Sequence, residues 1–304
     1  VRTGAGKSQV VRYIADVIRK AGFKAVVVRH PMPYGNLVDE AVQRFSSRAD
    51  LDGANLTIEE REEYERHISK GTVVYAGVDY QAILDKAEEE ADVIVWDGGN
   101  NDTPFFKPDL WITVADALRP GHEILYYPRE TNFRAADIIV INKANSAAAE
   151  DIISTEANAA RLNPKASVVV AGSEVRAEDP EMIRHKRVLV IEDGPTITHG
   201  EMAYGAGEVA ARMNEASEII DPRPYAVGSL KELFSKFRHI GRVLPAMGYY
   251  PEQIRELEET INRADCDSVV IASPIDLRRL IKIDKPSTYV LYDLVAMDRP
   301  FLRE

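Results

Sequence analysis

The chain has 304 residues, 45% of them hydrophobic and 29% charged, with a net charge of −11. This composition excludes collagen, a wholly disordered chain and a disulfide scaffold, and the length allows one large α/β domain or two ordinary ones. An acidic chain lacks the electrostatic footprint of a nucleic-acid binder, no apolar run reaches membrane-spanning length, and a lone cysteine, Cys266, forbids an internal disulfide. The expectation is a cytoplasmic protein with no nucleic-acid or membrane partner.

Residue 1 already lies inside a glycine-rich loop, Val1-Arg2-Thr3-Gly4-Ala5-Gly6-Lys7-Ser8. Such loops follow a buried strand, so the chain reads as an N-terminally truncated fragment whose front supplies at least one core strand. Apolar spacing predicts a helix over 8–21, stopped by Gly22. A β-branched strand over Lys24–Arg29 empties into the proline-rich loop 30–36. Thr57 with Glu60 three places on predicts a capping box opening a charged helix over 57–69. A helix over Asp79–Glu90 and a strand over Asp92–Trp96 follow. Further strands are predicted at Leu110–Val114, Ile138–Ile141, Ser167–Ala171, Arg187–Ile191, Ser268–Ala272 and Thr288–Tyr292. Helices are predicted at Ala147–Arg161, Glu201–Ser217, 229–239 and 251–263. Apolar strands alternating with helices imply an α/β fold, a doubly wound, mostly parallel sheet covered on both faces. Asp221-Pro222-Arg223-Pro224 is the best joint, dividing a core of 1–222 from a C-terminal α/β segment, 223–304, packed on the same domain.

Gly4, Ala5, Gly6, Lys7 and Ser8 open the first helix. Backbone N–H groups there favour phosphate, Lys7 would reach the β- and γ-phosphates, and Ser8 would ligate Mg²⁺. A glycine-rich turn is the plain alternative. Asp97 ends the apolar run Val93–Trp96, the place of a Mg²⁺-binding Walker B aspartate, or of a turn residue before Gly98-Gly99. Asn100, Asn101, Asp102 and Lys107 then offer small polar groups beside a cation, fit for an acidic substrate or for an ordinary loop. Asn142, Lys143 and Asn145 resemble the base-reading Asn-Lys-x-Asp loop of GTP-binding proteins. Asn145 replaces the carboxylate that reads guanine, which leaves adenine open. Arg119 and Arg134 could hold substrate phosphates by paired contacts, and His122 could serve as an anion donor or acid/base. Singly, each also suits a structural role. Thr198 and His199 follow the strand Arg187–Ile191, and Gly205-Ala206-Gly207 a little later could line a phosphate pocket.

Taken together, VRTGAGKSQ, RHPMPYG, YAGVDYQAIL, the long block 97–123, YYPRETNFRAADIIVINKAN and EDGPTITHGEMAYGAG resemble the cyclic 2,3-diphosphoglycerate synthetase family. So do LPAMGYYPEQIRELEETINRAD and SPIDLRRLIKIDKP, so the resemblance spans essentially the whole chain. It implies a P-loop NTPase-type enzyme using ATP and Mg²⁺ to close a phosphoanhydride between the two phosphates of 2,3-bisphosphoglycerate, a small phosphorylated acid. The γ-phosphoryl would pass to one phosphate, and its neighbour would then attack and expel inorganic phosphate. Lys7, Asp97, Arg119 and His122 are the expected catalytic groups. Arg29, His30, Asn100, Asn101, Asp102, Lys107, Arg134, Thr198 and His199 are the expected substrate contacts. A switch or metallochaperone-type GTPase and a non-catalytic nucleotide-binding module remain the alternatives, and a homodimer is one arrangement the sequence leaves open.

Overall fold

The computed structural model describes residues 2–29, 35–54, 56–99, 102–127, 129–248 and 250–297. His30, Asn100 and Asn101 lie outside the described residues.

The chain forms two compact units, one of residues 1–56, 63–174 and 293–304, the other of 57–62 and 175–292. The joint expected at 222/223 falls inside the second unit, because the chain leaves the first near residue 174 and re-enters it at 293.

The first unit opens with α1 (Lys7–Lys20), whose Val10, Val11 and Ala15 are buried while Arg19 and Lys20 complement the negative helix end. Then come β1 (Ala25–Arg29), β2 (Gln43–Phe45), α2 (Arg48–Gly53), α3 (Ile58–Ser69, of which the part from Glu63 belongs to this unit), β3 (Val73–Ala76), α4 (Tyr80–Glu90) and β4 (Val93–Asp97). The capping box at the start of α3 forms as the spacing predicts: Glu60 N–H donates to Thr57 Oγ1 and Thr57 N–H donates to Glu60. These four strands make a sheet in the order β2-β3-β1-β4, parallel except for the short β2. Next are β5 (Ile112–Asp116), α5 (His122–Leu125), α6 (Arg129–Ala135), β6 (Ile138–Asn142), α7 (Ala149–Leu162) and β7 (Ser167–Ala177), with β5, β6 and β7 in parallel. The strand expected from Leu110 begins at Ile112, because the Trp111 amide is taken by the Asp137 carboxylate. Ala5 packs with Val10, Val114, Val140 and Ala171, which seats the glycine-rich loop on this second set of strands.

The second unit contains β8 (Arg187–Asp193), α8 (Gly194–Ile197), α9 (Ala206–Met213), β9 (Glu218–Ile219), α10 (Ser229–Lys236), β10 (Leu244–Ala246), α11 (Pro251–Arg263), β11 (Ser268–Ala272) and β12 (Ser287–Ala296). Strands β10, β8, β11 and β12 lie side by side in parallel. The helix expected over 201–217 shrinks to α9, because Gly205 is extended and residues up to it form a loop that turns its amides onto Glu192. No helix among the described residues is long and apolar enough to cross a membrane.

Candidate functional site

Parallel strands carry their ligand-facing residues at their carboxyl ends. In the first unit those ends deliver Arg29 from β1, Asp97 from β4, Asp116 from β5 and Asn142 from β6. Arg29 and Asp97 are register partners on neighbouring strands, as are Asp116 and Asn142.

The glycine-rich loop turns through Gly4 at φ 74° and Gly6 at φ 98°, both left-handed. A Cβ on Gly6 would lie 2.1 Å from Asn142 Nδ2, so a side chain there must displace that amide. Asn142 is fully buried and donates to the Ala5 carbonyl at 3.0 Å. The residue expected to touch a base therefore holds the loop from behind. Arg119 braces the same loop, donating from Nη2 to the Thr3 carbonyl at 2.8 Å. Its Nε and Nη2 also meet Asp116 Oδ2, at 2.9 and 2.6 Å. Lys143 donates to that oxygen at 2.9 Å. Burial opposes charge on Asp116, but Lys143 and Arg119 outweigh it and hold the carboxyl below its usual range.

Facing this brace is a second charged cluster. Arg29 Nη1 lies 3.0 Å from Asp97 Oδ1 and donates to the Asp97 carbonyl at 3.1 Å, while Nη2 lies 2.7 Å from Glu63 Oε2. Asp97 is almost wholly buried, yet Arg29, His67 and Lys7 keep it ionised. Burial pushes the Lys7 ammonium down to about 8, with Asp97 and Glu63 opposing and Arg29 and Arg119 assisting the fall. A lysine lowered chiefly by burial is one whose charged form a polyphosphate would favour. Asp97 Oδ2 is buried without a hydrogen-bond partner, as are both ring nitrogens of His67.

The other expected residues divide. His122 Nδ1 lies 2.7 Å from Nη1 of Arg2, a loop residue whose guanidinium also lies over the Tyr126 ring. Asp102 accepts from the Gly99 amide at 2.7 Å. Lys107 is exposed, and Arg134 is exposed and pairs with Glu130 one turn back. Asn145 donates to the Ser173 carbonyl and accepts from the Ser173 amide, so both ends of its amide tie the loop after β6 to β7. Thr198 and His199 belong to the second unit, where the buried Thr198 hydroxyl donates to the Gly194 carbonyl and touches His199 Nδ1 at 3.1 Å. The phosphate pocket expected at Gly205-Ala206-Gly207 is filled by the chain itself. The Glu192 carboxylate accepts from the amides of Gly205, Gly207 and Glu208 at 3.0, 3.1 and 2.8 Å.

Sequence reasoning missed Glu63 and His67. Both sit on α3 four residues apart, a spacing that puts them on one face. The available signal was His67 falling on the buried stripe of Glu60, Tyr64 and Ile68.

No family model matches the chain. The solved "apo" form of LpxK from Aquifex aeolicus in complex with ATP aligns with 99% of the chain and 84% of its own length, at a TM-score of 0.53 and 11% identity. HypB from Archaeoglobus fulgidus aligns more loosely, at a TM-score of 0.37 and 19% identity over 56% of this chain and 77% of its own. The LpxK likeness, with the glycine-rich loop and the parallel strands, shows an α/β fold of the P-loop NTPase type. A curated protein from Thermococcus kodakarensis, arginine synthetase ArcE, is 57% identical over all 304 residues of this chain, which span 68% of its length. The chain therefore belongs to the family of that arginine synthetase.

Proposed function

We propose that the chain binds ATP at Gly4–Ser8 and transfers its γ-phosphoryl to an oxygen of a small substrate, the nucleotide-driven step of a synthetase. The observation that carries this reading is the cluster of Lys7, Arg29 and an ionised, buried Asp97 beside a braced phosphate loop. Phosphoryl transfer needs position and positive charge more than a covalent nucleophile, and this cluster offers both. A carboxylate at residue 145 would favour guanine; its absence favours adenine.

Magnesium fits the donors present. Asp97 Oδ2 is a buried, charged oxygen without a hydrogen-bond partner, and hard oxygens suit Mg²⁺. No group of three metal-binding side chains gathers among the described residues, so Ser8 and Asp97 would share the ion with nucleotide oxygens. The ion would supply neutralisation of the polyphosphate charge.

The relative's name directs the choice of substrate. Arginine differs from citrulline by a nitrogen in place of the ureido oxygen. Phosphorylating that oxygen makes it a leaving group; ammonia attacks the carbon, the C–O bond breaks, and phosphate departs with the oxygen. We therefore read the acceptor as a ureido acid. The resemblance of residues 97–123 and 126–145 to the cyclic 2,3-diphosphoglycerate synthetases supports a second reading, ring closure of 2,3-bisphosphoglycerate. That substrate needs many open cations. Arg29, Arg119 and Arg134 each already face a carboxylate, which favours the first reading.

The test is product analysis. The chain is incubated with Mg²⁺ and ATP or GTP, and with either citrulline plus ammonium or 2,3-bisphosphoglycerate. Arginine formed with ADP and phosphate supports the first reading, and a cyclic diphosphoglycerate the second. ATP turnover yielding neither product defeats both acceptors, and a chain that binds no ATP defeats the site.

A further inference from the structure

We propose that His67 is a positioning residue that acts through Asp97, its imidazole fixing the plane of the carboxylate by its second oxygen. This rests on the reading of Asp97 as part of the phosphoryl-transfer site.

The geometry is specific. Arg29 approaches Oδ1 of Asp97 at 3.0 Å. His67 Nε2 stands 3.8 Å from Oδ2, and both residues are 1% exposed. Oδ2 has no hydrogen-bond partner, and neither ring nitrogen of His67 has one. Two unsatisfied buried polar atoms facing one another, just beyond hydrogen-bond length, are costly unless they meet at some stage of the cycle. An imidazole N–H at Nε2 directed at one lone pair of Oδ2 gives both atoms a partner and leaves the second lone pair of that oxygen for the cation.

The backbone supports this use. The Asp97 side chain turns easily about its last torsion, and Arg29 holds only one of its oxygens. Lys7 is close enough to feel the Asp97 charge. Arg29 on one oxygen and His67 on the other keep the carboxylate aimed. Helix α3 delivers His67 from a buried stripe, with Glu63 four residues earlier meeting Arg29 at 2.7 Å. One helix face thus steadies both members of the Arg29–Asp97 pair. Outer partners of this kind typically change activity or metal affinity about 10- to 100-fold when removed.

The experiment compares the wild-type chain with His67→Gln and His67→Leu. Glutamine can present an N–H near the place of Nε2; leucine fills similar volume and offers none. Turnover with ATP is measured as kcat and KM. In parallel, the melting temperature is recorded without ligand, with ATP alone, and with ATP plus Mg²⁺. The expected result is a kcat lower by about 10- to 100-fold for His67→Leu with KM for ATP nearly unchanged, and most of that loss restored in His67→Gln. His67→Leu should also lose the extra thermal shift that Mg²⁺ adds to ATP while keeping the shift due to ATP alone. Equal kcat in all three proteins, or equal loss in both variants tracking a lower unliganded melting temperature, overturns the proposal. A wild-type chain without turnover defeats the proposed function instead, and the Mg²⁺-dependent shift then still decides the role of His67.

Discussion

At Gly6 one methyl group separates the observed glycine-rich loop from a distorted one. The added Cβ would meet Asn142 Nδ2 at 2.1 Å, in a left-handed backbone that costs an alanine about 1 kcal/mol or more. Gly6→Ala should therefore weaken ATP binding at least tenfold, read by calorimetry, and lower the melting temperature as the Asn142 amide is displaced. An unchanged affinity would mean that the loop does not cradle phosphate. Asn142→Ala should also weaken binding while costing about 1–3 kcal/mol of stability, because the Ala5 carbonyl loses a buried donor. Lys7 carries a prediction of its own. With its ammonium held near 8, about half of the unliganded molecules lack that proton at pH 8, and a bound polyanion raises the pKa again. Nucleotide binding at that pH should take up protons, seen as a dependence of the binding heat on the buffer's own ionisation. Lys7→Met should abolish that dependence.

At the scale of elements, the site is two strand-end pairs and a helix. The Asp116 knot joins the loops after β5 and β6, and its removal leaves a buried guanidinium and a half-buried ammonium behind. Asp116→Asn should cost about 3–5 kcal/mol in denaturant unfolding, the usual penalty for breaking one side of a buried ion pair. A loss below 1 kcal/mol would mean that Arg119 and Lys143 find solvent or other partners. In the second unit, burial pushes Glu192 up to about 7 against the pull of three amides. A carboxyl whose folded pKa lies above its unfolded value adds stability in acid and loses it as pH rises. The loss runs from about 4.5 to 7 and amounts to roughly 3 kcal/mol. Glu192→Gln should flatten that part of the stability–pH curve, and a curve of unchanged slope would refute the shift.

Across the whole molecule, the sequence displayed what is periodic and local. Runs such as Val26-Val27-Val28 and Val93-Ile94-Val95 read as parallel strands, the first buried and the second half-buried in the structure, and Gly4–Ser8 read as a glycine-rich loop opening a helix. The Arg29–Asp97 pair was within reach, since both residues end apolar runs. Three things were hidden, each for a physical reason. α3 is charged on several sides, so His67 is marked only by its place beside Tyr64 and Ile68, and nothing in the pattern marks Glu63 as the partner of Arg29. The tasks of Arg119 and Asn142 depend on partners more than 100 residues away, Thr3 and Ala5. The division into units follows no composition change, because the first unit closes only when the chain returns at 293. Hydrogen exchange tests where the nucleotide acts. ATP should slow exchange at Gly4–Ser8 and in the loop after β6, and leave β8 and α9 unchanged; equal protection in both units would require a ligand footprint beyond the loop.

The brace behind the glycine-rich loop has a thermodynamic consequence. Thr3 and Ala5 are fastened by Arg119 and Asn142 before any ligand arrives. A ligand that finds its cradle already ordered forfeits little chain entropy on arrival. Binding should then show a small heat-capacity change and an association rate governed by electrostatic encounter, without a slow rearrangement step. Cutting one fastening, as in Asn142→Ala, should move the cost of ordering into the binding event and appear as a more unfavourable binding entropy.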